Sequence, residues 1–89
     1  MSQKSDDAYI NGMHGIGHAE YVLVQGHYEY EGRIKMDSLG MSLSLFNNNE
    51  EVMEYDGPIY KNRHKSHGKL HNIMIDGIDN ECIVFRARA

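Results

Sequence analysis

His27-Tyr28-Glu29-Tyr30-Glu31-Gly32-Arg33-Ile34-Lys35-Met36 is the stretch that decides the fold. Tyr28, Tyr30, Gly32, Ile34 and Met36 fall on one side of it, and His27, Glu29, Glu31, Arg33 and Lys35 on the other. Successive side chains of a β-strand point to opposite faces, so this period of two predicts a strand with one core face and one wet face.

The same grammar extends in both directions. Upstream, Gln25-Gly26 has turn chemistry, and His18 to Val24 is apolar enough for a first strand buried on both faces. Residues 1–17 read as a flexible arm or irregular loop, because Met1 to Asp7 is polar and Asn11 to Gly17 holds three glycines. A short helix over 5–13 is the one helix left open there. Downstream, Asp37-Ser38-Leu39-Gly40 predicts a turn. Met41, Leu43 and Leu45 alternate with Ser42 and Ser44, predicting a third strand that ends near Phe46. Asn47-Asn48-Asn49 predicts another turn. A weaker strand over Glu50 to Asp56 is expected to stop at Gly57-Pro58. Lys61 to Gly68 has no apolar residue and reads as a solvated loop. Leu70 to Ile78 and Cys82 to Arg88 read as strands separated at Asp79-Asn80.

Most of these links are two to four residues long, too short for a parallel crossover. The fold class expected is therefore mainly β, with little helix: an antiparallel meander of roughly five to seven strands rolled into a small barrel or sandwich. Its domain would span residues 18–89 behind the arm 1–17. At 89 residues the chain has room for one domain and one core.

Composition narrows the class. A single cysteine, Cys82, argues against a disulfide scaffold and for a reducing compartment. The polar start of the chain and the short apolar runs predict no membrane span and a cytoplasmic location. The net charge of −4 is unevenly spread. Residues 1–60 carry −7, residues 61–71 carry +4 and no acid, and residues 72–89 carry −1.

That basic stretch gives the first candidate site, Lys61, Arg63, His64, Lys65, His67 and Lys69, placed to bind a partner. Tyr28 and Tyr30, with Glu29, Glu31 and Glu54, give a second, since tyrosine is enriched where interfaces form. Glu29, Glu31, Glu50, Glu51, Glu54 and Asp56 would gather if the second and fourth strands shared a sheet. His64, His67 and His71 are weak metal candidates. Helical spacing would align them, but on a strand His67 and His71 stand roughly 13 Å apart. No cofactor motif is present. Cys82 lacks a nucleophile signature, and Gly12 to Gly17 does not form a phosphate cradle.

The leading expectation is a non-enzymatic module acting through protein–protein contacts, a small regulator or inhibitor of the kind phages and mobile elements encode. A homo-oligomer fits open sheet edges. The alternatives are a nucleic-acid or phosphate binder using the loop 61–69, and a histidine-based metal or pH-responsive site.

Overall fold

The computed structural model describes residues 6–48 and 52–88. Those residues form β1 (Asp7–Ile10), β2 (Met13–Val24), β3 (His27–Met36), α1 (Leu39–Asn47), β4 (Glu54–Lys61), β5 (His64–His71), β6 (Met74–Asp79) and β7 (Cys82–Arg88). The strands make one sheet in the order β5-β4-β1-β2-β3-β7-β6. Every neighbouring pair in that order is antiparallel. The mainly β, antiparallel expectation is thus met. The sheet stays open, with β5 and β6 at its two edges.

Four two-residue hairpin turns set the registers among the described residues. Asn11-Gly12, Gln25-Gly26, Asn62-Arg63 and Asn80-Glu81 all have positive φ at both positions. This is the type I′ geometry that matches the twist of paired strands. Arg63 and Glu81 occupy the second position, where glycine is otherwise favoured.

The core lies on the inward face. Ala8 and Ile10 of β1, Ala19 of β2, Ile34 and Met36 of β3, Tyr55 and Ile59 of β4, and Ile83 and Phe85 of β7 are buried there. The sheet curls enough that the Tyr55 and Phe85 rings, from strands with three others between them, meet at 5.1 Å. Burial pushes the Tyr55 phenol above its usual range. Its hydroxyl donates to the Pro58 carbonyl at 2.6 Å. Phe85 lies over Gly32, its cross-strand partner, where any Cβ would collide with the ring.

Several expectations are corrected. Residues 7–10 and 13–17, read as an irregular arm, are strand, and Ala8 and Ile10 anchor the core. Residues 1–5 lie outside the described part. β2 is not buried on both faces, since Leu23 is 61% exposed. Met41 to Phe46 is helix, not strand. Ser38 caps it, its hydroxyl accepting from the Met41 N–H at 3.1 Å. Residues 41, 42 and 45 turn inward, the spacing of a helix.

β4 runs through Gly57-Pro58 instead of stopping there. Pro58 falls between Asp56, paired with β1, and Ile59, paired in parallel with β2. The ladder on that side is already interrupted, so the missing N–H is tolerated. Residues 61–69, read as a loop, are the end of β4, a tight turn and most of β5. An edge strand carrying charge on its wet face needs no apolar alternation to form. Finally, the strand expected over Leu70 to Ile78 breaks at Asn72-Ile73, where Asn72 has positive φ.

Candidate protein-binding surface

The β2–β3 hairpin outgrows the sheet. Among the described residues, β2 pairs with β4 only as far as Glu20, and β3 pairs with β7 only from Glu29 onward. Residues 21–28 therefore project as a two-stranded ribbon. Tyr21 lies opposite Tyr30, and Leu23 opposite Tyr28. All four point to the face that continues the core; Tyr30 still packs against it, whereas Leu23 and Tyr28 lie past its edge.

The result is an aromatic cluster at the edge of the core, with Tyr28 exposed and Tyr21 and Tyr30 half-buried. The Tyr21 and Tyr28 rings stack at 4.8 Å and 7°, and Tyr30 tilts against Tyr21 at 5.0 Å. Lys61 sits over Tyr21 at 4.7 Å and reaches Tyr30 at 6.0 Å, a cation–π arrangement that fixes the ring faces. Leu23 and Tyr28 are both more than half exposed. A groove of about 980 Å³ opens beside Tyr28, with His27, His71, Met74, Arg86 and Arg88 in its walls. No family model, no curated protein and no solved structure matches this chain.

The surface is therefore read from its own chemistry. Tyr28 and Tyr30 belong to the cluster as the sequence suggested. Leu23 and Lys61 join them, which the sequence did not show, because membership depends on where the sheet ends. Glu29 and Glu31 lie on the opposite face of β3, and Glu54 lies on β4 with β1 and β2 in between. The acidic residues thus share the outward side of the sheet but stand strands apart and do not gather into one cluster. Glu50 and Glu51 lie outside the described residues.

The basic segment is dispersed. Lys61 is committed to the tyrosines. Lys65, His67, Lys69 and His71 share the outward face of β5, where Lys65 pairs with Asp6 at 3.1 Å and His67 with Asp56 at 3.4 Å. Arg63 sits in the turn, and His64 points to the other face of β5 by register. The weak metal set His64, His67 and His71 is not brought together: His71 is bonded to Glu54 at 2.9 Å. Among the described residues no group of three metal-ligating side chains converges.

One titratable device went unseen in the sequence. His14 Nε2 meets Asp7 at 2.8 Å, and Nδ1 meets Asp37 at 2.7 Å. The hydrogen bond to Asp7, then that to Asp37, raises the His14 pKa above its ordinary 6.5. The three residues come from β1, β2 and the segment leading into α1. Their sequence separations of 7 and 23 carry no motif.

Proposed function

We propose that this chain is a non-enzymatic binding module that acts through protein–protein contacts, as a small regulator or inhibitor would. Its contact surface is the tyrosine face of the β2–β3 ribbon. The observation that carries the reading is the stack of Tyr21 on Tyr28 beside exposed Leu23, outside the core. Folding alone gains little from placing these groups on a ribbon in water. An interface gains much, because tyrosines bring large contact area at low entropy cost and leucine fills a pocket. Lys61 holds the rings in place before contact, which reduces the ordering cost of binding.

The test is a photo-crosslinking amino acid placed at Tyr28, with Lys35 on the far face as control, in lysate of the source organism. A single protein adduct from position 28, lost when Leu23 becomes Asp, supports the reading. No adduct at 28, or equal labelling from 35, removes it.

A further inference from the structure

We propose that His14 is the bolt of a proton-operated latch that keeps α1 docked on β3, β6 and β7, so that loss of one proton frees the helix while the sheet stays folded. The geometry makes the bolt bivalent. The ring, carried on β2, meets Asp7 of β1 through Nε2 at 2.8 Å and Asp37 through Nδ1 at 2.7 Å. Asp37 directly precedes Ser38, the residue that caps α1. One imidazolium therefore ties the entry of the helix to the sheet.

The charged surroundings leave these two carboxylates in control. Tyr9 of β1 lies edge-on to the ring at 5.4 Å. Beyond Tyr9 in that row stands Asp56 of β4, engaged by His67 at 3.4 Å. Lys35 of β3, opposite Ile16, is paired with Glu81 at 3.6 Å. Hydrogen bonding to Asp7, then to Asp37, keeps the ring protonated to higher pH than an ordinary histidine. The latch is therefore closed below the folded pKa and opens as pH rises through it.

The neutral ring keeps one N–H, so one carboxylate must face a bare nitrogen lone pair. The two sides are unequally held. Asp7 is paired with Ile16 in the strand ladder, and the neighbouring Asp6 carbonyl accepts from the Gly17 N–H at 2.9 Å. Asp37 lies past the end of β3, and its backbone N–H reaches the His14 carbonyl at 3.3 Å. Asp37 is the side that yields. What then holds α1 is small. A nine-residue helix is too short to persist unsupported. Its inward face offers Leu45, part of Met41, and the buried Ser42 hydroxyl, which has no hydrogen-bond partner among the described residues.

Hydrogen exchange of the full chain, read by mass spectrometry at pH 6 and pH 9, tests the latch. Rates are expressed as protection factors, which removes the intrinsic acceleration of exchange by base. The amides of α1 should lose protection about tenfold or more between the two pH values, while those of β3 and β7 change less. His14→Gln should leave α1 weakly protected at both. Asp37→Asn is the second arm, and it holds even where the glutamine variant folds poorly. Its amide accepts from the protonated ring and, flipped, donates to the bare nitrogen. In that variant α1 should stay protected at pH 9. Equal protection of α1 at the two pH values in the wild type overturns the proposal. So does a loss shared equally by β3 and β7, or a pH dependence that persists in His14→Gln or Asp37→Asn.

Discussion

His14 Nδ1 lies 2.7 Å from Asp37 Oδ1 while the other ring nitrogen lies 2.8 Å from Asp7 Oδ1. A carboxylate only accepts, so both contacts are hydrogen bonds only when the imidazole carries both protons. The Asp37 backbone N–H closes the same junction by donating to the His14 carbonyl. A neutral ring keeps one N–H and turns a lone pair toward the other carboxylate.

Stability should follow that titration. The folded pKa of His14 is raised above 6.5, first by Asp7 and then by Asp37. The contribution is therefore complete below pH 6.5 and is lost as pH rises through the folded value. Against His14→Gln, the wild type should be more stable near pH 6, and the advantage should shrink by about pH 9. Thermal melts of both proteins across that range check this. A constant difference between the two would show that the clip does not titrate.

Gly32 and Phe85 make a second, packing-based prediction. A Cβ on Gly32 would lie 2.1 Å from the Phe85 ring. Gly32→Ala should therefore destabilise by about 1–3 kcal/mol through overpacking. Phe85→Ala should cost about 3–5 kcal/mol through the cavity it leaves. In the Phe85→Leu background the Gly32→Ala penalty should fall, because the clashing ring is gone. Urea unfolding of the four proteins gives the coupling directly. Additive losses would mean the two residues do not meet.

Legibility in the sequence follows from how local each signal is. The alternation over His27 to Met36 and the strand over Cys82 to Arg88 were readable and their bounds coincide with β3 and β7. Met41, Leu43 and Leu45 misled, because in a short run of Leu, Met and Ser a period of two cannot be told from a helix with its apolar arc half uncovered. The cap that decides it is a single hydroxyl, Ser38, read instead as a turn residue. Gly57-Pro58 looked like a stop because the switch of β4 from β1 to β2 is a long-range event. The tyrosines were visible as candidates. Their openness, and the pairing of basic side chains with Asp6, Asp56 and Glu54, depended on registers between distant strands.

Ser42 offers a stabilising substitution. Its side chain is fully buried on the inner face of α1, and its hydroxyl has no hydrogen-bond partner among the described residues. An unsatisfied buried polar group costs about 1–3 kcal/mol, and alanine is the better helix former. Ser42→Ala should raise the midpoint of chemical unfolding, with an unchanged slope. A lower midpoint would mean the hydroxyl is satisfied in solution.

The basic segment makes the last prediction, and it separates protein binding from nucleic-acid binding. A polyanion is held by cations that lie together and release counterions on contact. Here Lys61 is over Tyr21, and Lys65 is on Asp6. His67 and His71 are against Asp56 and Glu54, carboxylates that would face any phosphate approaching the outward side of β5. Arg63 in the turn is too isolated to anchor a backbone alone. The chain should therefore pass through heparin without retention at about 0.15 M salt, where screening is already strong. Neutralising Lys65 and Lys69 together should leave that elution unchanged. Retention that weakens steeply with salt and disappears in the double variant would restore the phosphate-binding reading.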